Sequence, residues 1–205
     1  LSPQPYRIAI IGGGSSGILA ASSIQEGMHA DQSLQSSIDI TIFESTPDTL
    51  RFLRDHHADG ILYDTSKKPM DILKAGFPRG RKEIMSMLTK YFPPLEQQNW
   101  FENRGVTFTT RLDGTMTEND ESITVAEAIM NDDLCEMIQT KSKISSIFKD
   151  DEGNFHVTAT DNSTQVYNCI ILPTGNSHSG YQLAKSLGHT ISKPVRSCFG
   201  LVLTE

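Results

Sequence analysis

The sequence predicts an α/β fold in which a parallel sheet is combined with an antiparallel β-meander. The first observation is a compact apolar segment at residues 7–11, followed by a glycine-rich turn and a helical pattern, the order of a βαβ unit. The second is a β-branched segment at residues 38–43 that supplies the next strand. The third is a series of strand patterns separated by turn residues, at residues 144–148, 154–160, 165–168 and 169–172.

The composition is that of a globular protein and argues against several classes of function. The chain has 205 residues, 37% of them hydrophobic and 21% charged, so it is long enough to bury a core. Its formal net charge of -7 and the lack of a basic stripe argue against a nucleic-acid partner. No apolar run reaches the roughly 18 residues of a membrane span. We therefore expect a small-molecule substrate and no membrane; the sequence favours no oligomeric state.

The cysteines indicate a reducing environment. Cys135, Cys169 and Cys198 are far apart, odd in number and form no Cys-x-x-Cys pair. Neither a zinc site nor a disulfide framework is expected, and we predict no metal site. The cytoplasm or an organelle interior fits this pattern, and a targeting sequence ahead of Leu1 would lie outside the sequence.

The other patterns predict helices or strands along most of the chain. Residues 18–24 are helical in pattern and we expect Gly27 to close this helix, so that the polar residues 28–37 form a loop. Residues 45–78 show no steady period. A helix beginning at Pro94 is expected to pack Leu95. The later patterns predict helices at residues 81–92, 94–104, 122–130 and 180–187, and strands at residues 106–110 and 134–139.

The turn after the first strand matches a dinucleotide-binding loop. Residues 12–17 read GGGSSG, which fits G-x-G-x-x-G between a strand and a helix. Gly12 allows the tight turn, Gly14 lets a pyrophosphate approach the backbone, and Gly17 lets the helix pack against the strand. The free N–H groups and the dipole at the start of the helix then bind the phosphates. A glycine-rich turn in an unrelated α/β domain is the alternative interpretation.

The second strand ends in an acidic residue, Glu44. A carboxylate at this place can accept hydrogen bonds from both ribose hydroxyls, and it repels a 2′-phosphate, which argues against NADP at this site. The acid normally follows the glycines by about 20 residues. Glu44 lies 27 residues beyond Gly17, and the polar segment at residues 28–37 accounts for the excess.

The order of the later strands favours FAD over NAD. A simple NAD-binding Rossmann domain continues with alternating strands and helices. This chain instead places a meander ahead of a strand that ends at Thr174 and Gly175. That order resembles the FAD domain of two-dinucleotide-type flavoproteins, in which the Thr-Gly turn approaches the flavin nucleotide. An ordinary strand-exit turn explains Thr174 and Gly175 equally well.

Segments through most of the chain carry a family resemblance; they are residues 8–20, 63–67, 75–83, 100–106, 113–114, 171–175 and 180–191. In these segments the sequence is similar to the BaiN-like flavoproteins, the aminoacetone oxidase family of NAD(P)/FAD-dependent oxidoreductases. The resemblance implies an FAD-dependent oxidoreductase, with NAD(P)H as a candidate electron donor. It also implies an adenine-side backbone contact near Ile144. The expected cofactor contacts are Gly12, Gly14, Ser15, Ser16, Gly17, Glu44, Ile144, Thr174 and Gly175.

Two departures from the family concern the flavin end of the site. The family's Ser-Gly-Gly-Gly-Arg-Cys-Asn motif is replaced by HHADGIL at residues 56–62, and its Asp-Gly-Arg-Met-Phe-Pro motif reads DGTMTE at residues 113–118. The pyrophosphate and adenosine half of the site is therefore expected, and no catalytic residue is assigned. The alternatives to an oxidoreductase are a diverged nucleotide-binding module without turnover and a non-enzymatic interaction domain on a decayed Rossmann scaffold.

The expected domain organisation follows from this comparison, because the relatives are much longer. We predict that residues 1–192 form a Rossmann-like FAD-binding domain of the two-dinucleotide flavoprotein type, with its meander at about residues 144–169. Residues 193–205 then begin a following, truncated domain. The FAD-binding domain itself is expected to be incomplete at its C-terminus.

Overall fold

The computed structural model describes residues 4–55, 61–62, 68–76, 80–111, 114–117 and 122–194. Residues 56–60, which form most of the HHADGIL segment, lie outside the described residues. Residues 112–113, residues 118–121 and most of the predicted second domain lie outside them as well. Family segment 63–67 also lies outside them.

Helices predominate among the described elements of the first half of the chain, and strands predominate in the second half. In chain order they are β1 (Tyr6–Ile11), α1 (Ser15–Ala30), α2 (Gln32–Gln35), β2 (Ile38–Phe43), α3 (Arg51–Asp55), β3 (Ile61–Leu62), α4 (Pro69–Gly76), α5 (Arg81–Ser86) with a following π-helical turn (Met87–Tyr91), α6 (Pro94–Glu102), β4 (Phe108–Arg111), β5 (Gly114–Thr117), α7 (Ser122–Ile129), α8 (Asp132–Glu136), β6 (Ile138–Gln139), β7 (Ile144–Lys149), β8 (Phe155–Ala159), β9 (Thr164–Tyr167), β10 (Cys169–Ile171) and α9 (His178–Ser186).

A parallel sheet lies at the centre, which confirms this part of the predicted fold class. Its strand order within the described residues is β10-β1-β2-β6. Strand β1 pairs with β2 along its whole length and with β10 on its other side. The direction of strand succession reverses at β1, because β2 and β10 lie on opposite sides of it. In open α/β sheets, a crevice forms at the carboxyl ends of the strands at such a point.

Both faces of the sheet are buried, as the continuous apolar pattern of the first strand predicts. Ile8 and Ile10 belong to a core that also contains Ile18 of α1. Ala9 and Ile11 point to the opposite face, since side chains alternate along a strand, and they belong to a second core with residues of the meander. The sheet therefore lies between a helical layer and a β-layer.

The antiparallel meander is formed by β7, β8 and β9 as a separate sheet, as predicted. Its last strand ends at Tyr167, and Cys169 already belongs to the parallel sheet. A second antiparallel sheet has the order β3-β5-β4. Neither β3 nor β5 was predicted from the sequence.

The first helix is longer than its sequence pattern predicts. Helix α1 continues past Gly27 to Ala30, and α2 occupies part of the expected loop. Continuing the helix buries Met28, which keeps only 9% of its surface exposed in the core. The free energy of this burial outweighs the weak helix propensity of one glycine. Asp31 Oδ1 then accepts the Ser33 N–H at 3.0 Å and caps α2.

The predicted strand at residues 134–139 is mostly wrong. Residues Asp132–Glu136 are helical, and Ile138–Gln139 alone forms a strand, which pairs with β2. The helix begins here because Asn131 Oδ1 accepts the Leu134 N–H at 2.8 Å, which is an N-cap contact. Leu95, expected to be packed, is 59% exposed.

The remaining patterns predict the structure well. A helix and its π-helical turn end ahead of Pro93, and α6 begins at Pro94. Helix α9 ends close to Gly188, whose φ of 87° is typical of a glycine that stops a helix.

Candidate functional site

A cavity of about 360 Å³ opens at the carboxyl ends of β1, β2 and β10. This volume lies within the range of about 300–1,000 Å³ that is typical of small-molecule sites. Except for Gly17, all the residues predicted from the sequence line it; they are Gly12, Gly14, Ser15, Ser16, Glu44, Ile144, Thr174 and Gly175. The structure thus brings together residues from four separate segments of the chain.

Two glycines of the loop are required by packing inside the protein. Gly12 has φ 130°, a conformation that residues with a side chain rarely adopt, and a Cβ there would lie 3.2 Å from Pro173 O. A Cβ at Gly17 would lie 1.9 Å from Gly12 O. Gly17 therefore contributes by letting α1 start close to the loop, although it does not line the cavity itself.

Gly14, the N-cap residue of α1, is different, because no packing contact inside the described protein explains why it lacks a side chain. Its φ of -77° is accessible to any residue. An added Cβ would meet no atom within 4 Å. Gly14 lines the cavity, so the absence of its side chain leaves open space where a ligand can approach the backbone.

The start of α1 presents unpaired backbone amides to this space. The Gly12 N–H donates to Phe43 O at 2.8 Å and the Gly17 N–H to Gly14 O at 3.0 Å. The amides of residues 14–16 have no hydrogen-bond acceptor among the described residues. The first turn of α1 contains no acidic residue. Free amides and the positive end of a 16-residue helix are suited to an anion such as a phosphate.

The Glu44 carboxylate is held against the glycine loop. Its Oε2 accepts the Gly13 N–H at 2.9 Å, and its Oε1 accepts the Thr46 N–H at 2.7 Å. The hydroxyls of Thr46 and Ser45 also donate to Oε1, at 2.9 and 3.2 Å. An ionised carboxylate has about four acceptor positions, so Oε2, with one donor, keeps capacity to accept another hydrogen bond from a ligand.

The segment that contains Ser142 and Ile144 is joined to the site by a backbone hydrogen bond. The Ser142 N–H donates to Glu44 O at 2.8 Å, which joins the segment ahead of the meander to the end of β2. Ile144, the first residue of β7, is 6% exposed and lines the cavity. It therefore contributes an apolar part of the cavity wall.

Sequence reasoning missed several residues that line the same cavity. Ser177 caps α9 by accepting the Gly180 N–H at 3.4 Å, and Ser179 lies next to it. A serine three residues ahead of a glycine at the start of a helical pattern was a usable N-cap signal. Ser142 and Lys143 carried no such signal, because only the tertiary contact with β2 brings them to the cavity.

In the described part of the chain, no group of three or more His, Cys, Asp or Glu side chains is placed to hold a metal ion. None of the described helices has the length and apolar character needed to cross a membrane.

Comparison with known proteins finds likeness in structure alone. No protein-family model and no curated protein matches the chain. The structure of THI4 from Thermovibrio ammonificans matches with a TM-score of 0.54 and 12% identity, over 91% of this chain and 64% of that chain. This likeness shows a shared fold.

Two further solved structures are matched over a smaller part of their length. One is a candidate FAD-containing monooxygenase from Photorhabdus luminescens, with 16% identity and a TM-score of 0.42. The match covers 80% of this chain and 38% of that chain. The other is cyclohexanone monooxygenase from Rhodococcus sp. Phi1 bound to NADP+, with 16% identity and a TM-score of 0.44. The match covers 82% of this chain and 25% of that chain. The chain thus spans less than half the length of either.

The fold belongs to a known architecture. A parallel sheet with helices on one face and a separate antiparallel meander on the other is the Rossmann-like architecture of FAD-binding flavoprotein domains, and the predicted fold class is confirmed.

Proposed function

We propose that the chain binds FAD in this cavity and forms the nucleotide-binding part of an FAD-dependent oxidoreductase that acts on a small-molecule substrate. The observation that carries the proposal is Gly14. Its missing side chain faces open cavity, and the unpaired amides of residues 14–16 lie around it. A diphosphate is the ligand that both features accommodate, since it needs close backbone approach and several N–H donors.

Glu44 supports an adenosine nucleotide with a free ribose. Its Oε2 is accessible for a hydrogen bond from a ribose hydroxyl, while its negative charge repels a 2′-phosphate. The same charge argues against NADP as the ligand of this particular cavity. NAD(P)H as an electron donor would have to bind elsewhere.

The meander supports FAD over NAD. It is inserted between β6 and β10, where a simple NAD-binding domain would continue with alternating helices and strands. The residues present fit the adenosine diphosphate half of FAD; when bound, the flavin would supply hydride and electron transfer. In this proposal the chain's own residues bind and orient the nucleotide: the start of α1 holds phosphate, Glu44 holds ribose, and Ile144 packs beside adenine.

Calorimetric titration with ADP and with FAD tests the proposal. The wild-type chain is expected to bind both. Gly14→Val is expected to lower the affinity for ADP by at least about 100-fold, because its side chain occupies the space of the diphosphate and blocks charge-assisted hydrogen bonds.

The matched control is Gly27→Val. A Cβ at Gly27 also meets nothing within 4 Å, but Gly27 does not line the cavity, so the ADP affinity should stay unchanged. Absence of ADP and FAD binding by the wild-type chain would contradict the proposal. Equal loss of affinity in both variants would show that the effect is not specific to the cavity.

A nucleotide-binding module without turnover is the second candidate. It is favoured by the sequence departure at residues 56–62, which removes the arginine, cysteine and asparagine of the family motif. The full-length protein, loaded with FAD, would be mixed with NADH and an artificial electron-accepting dye. Steady dye reduction supports the oxidoreductase; FAD binding without flavin reduction supports the module.

A further inference from the structure

Helix α9 contacts the turn after β10 through a glycine that the sequence did not mark as functional. A Cβ added at Gly180 would lie 1.8 Å from Thr174 Oγ1, 2.4 Å from Thr174 Cβ and 3.0 Å from Thr174 Cγ2. Gly180 lies inside α9, where alanine is a better helix former than glycine. The contact with Thr174, rather than the helix itself, therefore explains the glycine.

The other side of the same turn lies close to the glycine loop. Pro173 O lies 3.2 Å from the Cβ position of Gly12, and Pro173 Cγ lies 3.2 Å from that of Gly17. The turn is thus held between α9 and the start of α1. Thr174 and its neighbours line the cavity, so a displacement of this turn changes the shape of the cavity.

A side chain at position 180 could not be accommodated by rotating the Thr174 side chain. The overlap includes Thr174 Cβ, whose position is set by the backbone. Either α9 or the turn must therefore move. Leu183 anchors α9, since it is 6% exposed and packs in the core with Ile147 and Val157.

We propose that Gly180 is a positioning residue for nucleotide binding: by lacking a side chain, it lets Thr174 lie against α9 and thereby sets the rim of the cavity. This inference rests on the proposed function, because the affinity that Gly180 controls is that for the nucleotide.

A double-mutant cycle on the full 205-residue chain tests the inference. The variants are Gly180→Ala, Thr174→Gly and the two combined, and the affinity for ADP is measured by calorimetry below the melting temperature of each variant. Gly180→Ala alone is expected to weaken ADP binding by about tenfold or more. In the Thr174→Gly background, the same change should alter the affinity by less than about twofold, because the atoms that it overlaps are gone.

Gly27→Ala serves as the matched control, since it adds the same methyl group to a helical glycine with open space around it. It should leave the ADP affinity unchanged. If Gly180→Ala fails to fold, the combined variant is expected to fold. A combined variant that also fails to fold would place the cause in α9 itself and overturn the inference.

The outcomes separate this inference from the proposed function. If the wild-type chain binds ADP and Gly180→Ala binds it with equal affinity, the inference alone is wrong. An undiminished effect of Gly180→Ala in the Thr174→Gly background also contradicts it. If the wild-type chain binds no ADP, the proposed function is wrong and the inference falls with it.

Discussion

Each of the three glycines of the loop lacks a side chain for a different physical reason. Gly12 adopts a φ of 130°, Gly17 lies against a backbone oxygen, and Gly14 faces open cavity. The sequence motif predicts a different role for each glycine, and substitutions should separate these roles. Changes at Gly17 act on the folded structure, and changes at Gly14 act on a ligand.

Gly17→Ala is expected to destabilise the protein by about 3 kcal/mol, because a methyl group 1.9 Å from Gly12 O forces a backbone shift. The free energy of unfolding in urea measures this effect. Gly14→Ala is the control; because Gly14 is the N-cap of α1, this change should cost no more than about 1 kcal/mol. Equal stability of the two variants would contradict the packing explanation.

At the scale of elements, the meander is attached to the parallel sheet by a few specific contacts. Tyr167 of β9 is 1% exposed, and its ring meets the Phe43 ring edge-on with centroids 5.9 Å apart. The Arg7 guanidinium lies 4.5 Å from the centre of the Tyr167 ring. Arg7 Nη1 also donates to Val166 O at 2.8 Å, and its Nε pairs with Asp39 at 3.1 Å. Arg7 thus joins β1, β2 and the meander.

The contribution of this attachment to the free energy of unfolding should decrease at alkaline pH. Burial raises the pKa of Tyr167 above its ordinary value of 10.0, because the phenolate is disfavoured in an apolar core. The folded state therefore binds this proton more tightly than the unfolded state. The resulting stability is fully present below pH 10 and is lost as the pH rises through the raised pKa.

Tyr167→Phe tests this dependence. At neutral pH the variant should lose about 1 kcal/mol, since the hydroxyl no longer donates to Gln165 Oε1 at 2.9 Å. As the pH rises above about 10, the free energy of unfolding should fall more steeply in the wild type than in the variant. Parallel pH curves for the two proteins would show that Tyr167 does not titrate with folding.

For the whole molecule, the cavity joins elements that are distant in the sequence. It is lined by the loop after β1, the end of β2, the segment ahead of the meander and the turn after β10. These segments lie together only in the folded state, so only the folded state can offer a ligand contacts with all of them. Ligand binding should therefore stabilise the entire fold.

Thermal unfolding with ADP measures this coupling. At an ADP concentration of about 100 times Kd, binding contributes about 2.7 kcal/mol, which should raise Tm by roughly 5–10 °C for a chain of this size. Gly14→Val should show no such rise, and its own Tm should lie within about 4 °C of that of the free wild-type protein, because only the N-cap of α1 is changed. A similar rise in both proteins would place the ADP elsewhere.

The sequence by itself determined the local parts of this protein. Strand β2, the existence of α1, the three strands of the meander and the glycine loop follow from apolar periodicity and turn residues, which act between near neighbours. Local signals were misleading where packing decided the outcome. Helix α1 passes Gly27 because Met28 is buried. At α8 the strand prediction instead overlooked a local signal, the N-cap contact of Asn131.

Tertiary structure alone decided how the separate segments form one cavity. The pairing of Ser142 with Glu44 and the contact of Thr174 with Gly180 have no signature in the order of residues. Each depends on which distant segments pack together, and that is set by the burial of both faces of the sheet. The sequence identified residues able to bind a nucleotide; packing of β10 and α9 around β1 gave those residues a common site.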